Sequence, residues 1–482
     1  MYVRYLSRIL GCAGFSAGAI LSAAVVGTIV LAAGCAAVRV PTQPVAPTPM
    51  DPVWNDAELR DHLTFLNSGN VMGRATGTQG YARAAAYVTA RMREFRLQPA
   101  VDDDFRIVYP TSVNFPASSR LRTVGLRDST TYLAGIDYVP DALSDSGSVR
   151  VDRLVVAADD PARATIPSEP FGIVVPEGAS ADLRAWRNAG ARIALVVSAL
   201  RPRFEPAPIR NLLVTQITPG AASRLFAVPL AELDGYLSDF DGEVIELPQM
   251  LLAQIGTEYQ PRAGAINILS YISGKDPVKR RELIVLCADL DAMGHFAGVS
   301  AIDYGNFGIS TAAVMEVARN LSYVSRRWTV PDRSVMIAIW SGSQVGHAGL
   351  RDFLENPTWP LDRIGSVVYV GLSSDEEADV REMLGDVGIP LTVIRRPEEP
   401  LFDRDVVLVP SPSVQRLARE RDPTAPVLER PNASALMDSA ILRARRLGDS
   451  AYRNTMLQAT DAATFFPARR DSIPPPALVD TE

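Results

Sequence analysis

From about residue 264 the chain alternates two patterns of apolar and polar positions. "AINILSYISG", "RELIVLCADLD", "DRSVMIAIWSGS" and "IGSVVYVGLSS" are short apolar runs with little polar interruption, which reads as strand rather than helix. "STAAVMEVARNLSYVS" and "HAGLRDFLEN" stand between them and carry their apolar residues at helical spacing. Strands without polar alternation are buried on both faces, so this half predicts a mostly parallel sheet with helices on either side. Residues 53–99 read as helical. Leu59, His62, Leu63 and Leu66 share one face, and beyond the glycine-rich "GNVMGRATGTQG" an Ala-rich helix places Ala85, Val88, Met92 and Phe95 together before Pro99. Between 100 and 260 the runs are short and β-like, among them "FRIVYP", "VRVDRLVVAA", "FGIVVPE", "ARIALVVSA" and "RNLLVTQI". One clear helix, "SADLRAWRNAG", interrupts them, which predicts an inserted, mostly β domain.

The first forty residues follow a third pattern. Arg4 and Arg8 precede the almost uncharged "ILGCAGFSAGAILSAAVVGTIVLAAGC". A basic start, an apolar run and small residues before a break are the marks of an export signal. The AAGC at residues 32–35 resembles a bacterial lipobox, with Cys35 as the lipidated residue. The stretch from Ile9 to Ala33 is also long enough to span a bilayer uncleaved. Under either reading residues 1–35 export the body and tether it to a membrane of the bacterial envelope, on the periplasmic side. Residues 36–52 are a proline-rich spacer.

At 482 residues there is room for more than one domain. The net charge is −7 and there is no long basic run, which argues against a nucleic-acid partner. Cys12, Cys35 and Cys287 form neither a disulfide framework nor a CxxC zinc pattern. His62, His295 and His347 are the whole supply of imidazole.

In open α/β sheets functional groups gather beyond the C-terminal ends of the strands. Those ends here are Asp289/Asp291 in "CADLDAMG", Ser343/Gln344 and Ser373/Ser374. Asp289 and Asp291, two apart, share a strand face. With Asp303 or His295 they could hold a single divalent cation through oxygen, and the plainer reading makes them acceptors for backbone N–H groups at a strand-end turn. Ser343 has no GxSxG elbow and no evident histidine partner. Cys287 reads as core, His62 as a packed histidine, His347 as a helix start and His295 as a loop residue. The "GRATGTQG" loop follows no strand, so it reads as structural, bordering the cleft, and not as phosphate-binding.

Several ordered segments together resemble the di-zinc aminopeptidase family that also contains glutamate carboxypeptidase and glutaminyl cyclase. "LNSGNVMGRATGTQGYARAAAYVTARMREFRLQP" is similar to its opening loop and helix, and "NILSYISGKDPVKRRELIVLCADLDAMG" to its strand ending in A-H-Y-D-H-x-G. "STAAVMEVARNL" resembles the helix after its second metal loop, and "DRSVMIAIWSGSQVGHAGLRDFL" the strand and turn with its paired glutamates. The resemblance implies a three-layer α/β sandwich with a mostly parallel mixed sheet, formed by residues 53–115 and 256–470. It implies a protease-associated insert at 116–255, with 471–482 as a tail. The chemistry it implies is hydrolysis by two zinc ions, with a glutamate as general base.

Carried over residue by residue, the resemblance removes most of that machinery. The first histidine falls on Asp289, the metal aspartate on Asp291 and the second histidine on Ala292. The bridging aspartate falls near Asn306, the general-base glutamate on Ser343 and the ligand glutamate on Gln344. The next metal aspartate falls on Ser373 and the last histidine on Arg453. A serine hydroxyl without activation does not accept a proton near neutral pH. The expectation is therefore an anchored, peptidase-like protein without zinc chemistry or other cofactor, which binds a peptide or protein partner. The alternatives are an active aminopeptidase with two zinc ions, a one-metal hydrolase with rearranged ligands, and a structural subunit of a membrane complex.

Overall fold

The computed structural model describes residues 52–202, 204–303, 308–327, 331–397, 406–422 and 433–460. Cys35 and the rest of the N-terminal segment, Asn306, and the tail at 471–482 lie outside the described residues. Among the described residues no helix is long and apolar enough to cross a membrane.

The strands of the first half are β1 (Gln98–Pro99), β2 (Arg106–Val124), β3 (Ser129–Tyr132), β4 (Tyr138–Pro140), β5 (Gly147–Val156), β6 (Phe171–Val175), β7 (Ala191–Val197) and β8 (Leu213–Ile217). Those of the second are β9 (Val244–Ile272), β10 (Leu283–Asp289), β11 (His295–Phe296), β12 (Val299–Asp303), β13 (Ser334–Trp340), β14 (Ile364–Val370), β15 (Leu391–Ile394) and β16 (Val406–Pro410). The helices are α1 (Asp56–Leu66), α2 (Gln79–Glu94), α3 (Leu183–Asn188), α4 (Pro219–Phe226), α5 (Leu233–Asp239), α6 (Ile309–Arg327), α7 (Ala348–Glu355), α8 (Ser374–Asp386), α9 (Pro412–Arg421) and α10 (Ala433–Thr460).

The predicted mixed α/β sandwich is what forms. One sheet runs β15-β14-β10-β13-β9-β5-β6-β7-β8-β4, with β1 and β2 on β9 and β3 on β2. β10 lies parallel to β13 and β14, and β14 to β15. Alternation along β10 explains its unbroken apolar run. Ile284, Leu286 and Ala288 pack into a core with α1, α2, α6 and α10. Leu283, Val285 and Cys287 face the other way, toward α7 and α8. Residues between Leu121 and Ile255 build two further apolar clusters of their own.

Two of the elements that differ from the sequence expectation lie around the site. "AINILSYISG" is only the end of β9, a 29-residue strand that pairs with β13 at one end and with β5 at the other. The pattern hid it because its middle is polar and carries Pro261. The partner β2 shifts register between Thr111 and Val113, opposite that proline, so the missing N–H costs no ladder bond. "GHFAGVSAID" reads as a loop but forms the hairpin β11–β12, with β12 antiparallel to β16. Ala297 and Gly298 both have positive φ, which suits a two-residue hairpin turn, and Val299 and Ala301 point inward.

The glycine-rich loop before α2 packs directly against the segment after β10. Gly73 has φ +74°, and a Cβ there would lie 2.4 Å from the Cα of Gly294. Gly73→Ala is expected to destabilise the chain by roughly 3 kcal/mol, combining left-handed strain with overpacking. Urea unfolding monitored by circular dichroism checks this. A loss below about 0.5 kcal/mol would show that the two loops are not in contact.

Candidate functional site at the ends of the central strands

β10 ends at Asp289, and the chain turns at Leu290, whose N–H still donates to Trp340 at 2.9 Å. Asp291 therefore lies beyond the strand, and its partners differ from those of Asp289. The Tyr369 hydroxyl, on β14, donates to Asp289 Oδ1 at 2.7 Å, and Asp289 keeps partial exposure. Asp291 is 1% exposed. Its Oδ1 accepts the Ser343 N–H at 3.2 Å and its Oδ2 the Gln344 N–H at 3.4 Å. The hydroxyls of Ser343 and Thr76 lie near enough to its carboxylate to favour the charged form.

The turn that supplies those N–H groups is fixed from below. Ser343–Val345 is a single 3-10 turn between Gly342 (φ +75°) and Gly346 (φ +71°). Gly342 donates to Thr76 Oγ1 at 2.9 Å. Asn267 on β9 accepts the Ser341 N–H at 3.2 Å and donates to the Gly349 carbonyl at 2.8 Å. Tyr109 on β2 meets Ser341 Oγ at 2.9 Å. On the other side, buried Arg74 donates to the carbonyls of Leu290 and Leu66 and accepts the Ala292 N–H at its own carbonyl. The segment Leu290–Ala292 is thus held by main-chain and side-chain bonds from three separate parts of the chain.

The other predicted positions have different partners. Ser373 caps α8: its hydroxyl accepts the Glu376 N–H at 3.3 Å, and Glu376 accepts the Ser373 N–H at 2.7 Å. Gln344 enters the site through its main chain. Arg453 is exposed on α10, while its neighbours Tyr452 and Thr455 face inward. His347 is the residue before α7, at φ +52°, 3% exposed, with its ring edge-on to Tyr369. His295 meets the Ser300 hydroxyl at 2.9 Å in the β11–β12 hairpin. Cys287 is fully buried in the core. Tyr369, Thr76, Tyr109 and Asn267 gave no sequence signal, since each reaches the site from a distant strand or loop.

Burial pushes the carboxyls of both Asp289 and Asp291 above the usual range. Asp289 rises well above it, because the charge of Asp291 adds to burial against the single Tyr369 bond. The N–H groups of Ser343 and Gln344, with the nearby hydroxyls of Ser343 and Thr76, oppose the burial of Asp291, so Asp289 takes the first proton. Burial lowers the basicity of His347, which is neutral at physiological pH. A two-zinc centre, expected only under the alternative of an active aminopeptidase, needs imidazole and free carboxylate oxygens converging on one point. Among the described residues the strand ends offer no such group. The described residues at the strand ends do not fit a two-zinc centre.

No family model matches the chain, and no curated protein matches it. Solved structures do. A peptidase M28 precursor from Shewanella amazonensis SB2B is similar at TM-score 0.55 and 11% identity, over 87% of this chain and 98% of that one. A zinc aminopeptidase from Bacillus subtilis matches at 0.52 and 13%, over 86% and 99%. An aminopeptidase from Aneurinibacillus sp. strain AM-1 matches at 0.50 and 12%, over 83% and 94%. The chain has the zinc-aminopeptidase fold.

A carboxyl whose folded pKa lies above its unfolded value, about 3.9, holds a proton that the unfolded chain has lost. The stability this confers is present below that pH and disappears as pH rises through the folded pKa. Wild-type stability is therefore expected to fall relative to Asp289→Asn on going from pH 4 to pH 7, by up to about 1.4 kcal/mol per pH unit within the window. Paired urea titrations at several pH values measure the difference, and parallel curves would contradict the raised Asp289.

Proposed function

We propose that this chain is a non-catalytic relative of the zinc aminopeptidases, tethered to the bacterial envelope by its N-terminal segment, whose role is to bind an acidic protein partner. The observation that carries the first part is the use made of Asp291. In metal-assisted hydrolysis that carboxylate must offer a lone pair to a cation, and the next strand end must offer a base. Here the carboxylate accepts the backbone N–H groups of Ser343 and Gln344, the two residues that stand where base and ligand are expected. Each hydrogen bond to a charged group contributes about 1.5–3 kcal/mol, so a metal at Asp291 would have to displace several of them.

The outer face of the insert supports the second part. Arg122 on β2 and Arg150 on β5 flank Leu252 of β9 in register, and Arg120 lies two residues before Arg122. Together they line a shallow concavity of about 170 Å³. No carboxylate lies within ion-pair distance of the three among the described residues. Exposed guanidinium groups without local counter-charges match carboxylate-rich segments, since each can engage a carboxylate with two parallel bonds.

Two measurements test this reading. Purified full-length protein supplied with zinc is expected to release no fluorophore from a panel of aminoacyl-coumarin amides. Turnover that a chelator stops and Asp291→Ala abolishes would establish the active aminopeptidase instead. An acidic peptide is expected to bind at low salt and to lose roughly 10-fold or more in affinity when Arg120, Arg122 and Arg150 are changed to Glu. Equal binding by that variant would remove the assigned surface.

A further inference from the structure

A second group of ionisable side chains lies between the helices on the opposite face of β10 from α7 and α8. Glu58 and His62 are four residues apart on α1, so they project from one face of the helix, and Glu316 meets them from α6. One potential ligand atom from each lies within 4.8 Å of the others. His62 is 1% exposed and Glu316 0%. The His62 ring is oriented by Tyr87, whose hydroxyl is 2.8 Å from Nδ1, and by the edge-on ring of Phe95. The other nitrogen, Nε2, points at Glu316 Oε1 from 3.9 Å, beyond hydrogen-bond range, and has no hydrogen-bond partner. A ring nitrogen buried this deeply with nothing bound forfeits its hydration without return.

The two carboxylates are served by one cation. Arg319 places Nε 3.0 Å from Glu316 Oε1 and Nη2 2.8 Å from Oε2, with Nε 3.8 Å from Glu58 Oε2. Asn55 completes the set, donating its N–H to Glu316 at 3.4 Å and its side-chain amide to Glu58 at 3.2 Å. Two carboxylates facing one guanidinium leave a negative charge beside an imidazole that has a ring nitrogen to spare.

We propose that Glu58, His62 and Glu316 form a binding site for one zinc-class divalent cation, with His62 Nε2 and an oxygen from each glutamate as ligands. The chemistry suits zinc: one neutral imidazole and two carboxylates, with a fourth position for water or a second carboxylate oxygen. Ligand atoms of a tetrahedral zinc stand about 3.3 Å apart, so His62 and Glu316 need to close by only about half an ångström. Glu58 is only partly buried and supplies the larger adjustment. Tyr87 accepting the Nδ1 proton leaves the Nε2 lone pair toward the metal, as partners of metal-bound histidines do. Burial, then the charges of Arg91 and Arg319, lower the His62 pKa to about 4, which keeps the ring in its ligand form. Arg319 occupies the carboxylates when no metal is bound. Its Nη2 also donates to the Val53 carbonyl at 2.7 Å, and 23% of the side chain is exposed, so it has a direction in which to withdraw. Metal and Arg319 therefore compete for the same oxygens.

The site is independent of the strand-end site, and zinc itself is the probe. The full chain, stripped with chelator and dialysed against zinc, is expected to retain one zinc per chain by elemental analysis and to melt at a higher temperature than the stripped form. His62→Gln is expected to lower zinc affinity by roughly 100-fold or more. Glu58→Gln, on the partly exposed residue, gives the same direction should His62→Gln fail to fold. Arg319→Gln removes the competitor and is expected to raise affinity, a change that a merely structural salt bridge would not produce. Asp289→Asn and Asp291→Asn leave the stoichiometry at one. No retained zinc in the folded wild type, or zinc retained equally by both α1 variants, would overturn the site. Zinc lost only in the Asp291 variant would overturn the non-catalytic reading and this site together, while zinc at both places would overturn the non-catalytic reading alone.

Discussion

A carboxylate at 1% exposure cannot stay charged unless something replaces its water. For Asp291 the replacement is the single turn Ser343–Val345, and much of the local architecture follows from that requirement. The turn presents consecutive N–H groups because left-handed glycines stand on either side of it. At Gly342 an added Cβ would meet the Ala348 side chain at 2.8 Å, so the bend also depends on space that only glycine leaves. The turn is carried by β13, held to β9 through Asn267 and braced by Tyr109 from β2. Distances of 3.2 and 3.4 Å are long for charge-assisted bonds. The nearby hydroxyls of Ser343 and Thr76 add to them, and the carboxyl is still left with a raised pKa. The same turn cannot both donate to Asp291 through its main chain and carry a side-chain base over it without a rearrangement of the strand end.

The constraint behind this is the burial of the central strands on both faces. β10, β13 and β14 have apolar neighbours above and below, so polar side chains are affordable only where the strands stop. Asp289 shows the transition. It continues the Leu283, Val285, Cys287 face, and its one strong partner is Tyr369, a large buried side chain of that layer. Two residues later the chain has left the sheet and answers to the loops.

This explains what was legible in the amino-acid sequence. The sheet and its layers followed from unbroken apolar runs separated by helical spacing, because double-sided burial leaves that mark directly in the residues. The location of the site followed from the same runs, since their ends are visible as the first polar residues. β9 was only half visible: its exposed middle and Pro261 interrupt the alternation, and only the register shift in β2 makes room for them. Among the partners of the aspartates, Ser343 and Gln344 were marked by their strand end, and the rest were not legible. Thr76, Asn267 and Tyr369 are ordinary residues in their own segments and become donors or braces through contacts across scores to hundreds of residues. The plain reading of the aspartates, as acceptors for backbone N–H groups, describes Asp291, whereas the expectation that both share a strand face gives way to a strand that ends at Asp289.

The two buried acidic groups solve the same electrostatic problem differently, and the difference bears on which can exchange its partner. Asp291 is neutralised by dipoles that belong to the backbone of a constrained turn, and these cannot leave without unfolding it. Glu316 is neutralised by a partly exposed side chain, Arg319, whose withdrawal breaks its pairs with Glu316 and Glu58, contacts that another cation can replace. Fixed dipoles make a permanent structural acceptor, while a movable countercharge next to an unsatisfied imidazole leaves an exchangeable one. The fold has the same polar chemistry available in both places. At the strand ends that chemistry is locked. Between α1 and α6 the charge remains incompletely met, and a closed site of this kind would tie two helices together and stabilise the fold without performing a reaction.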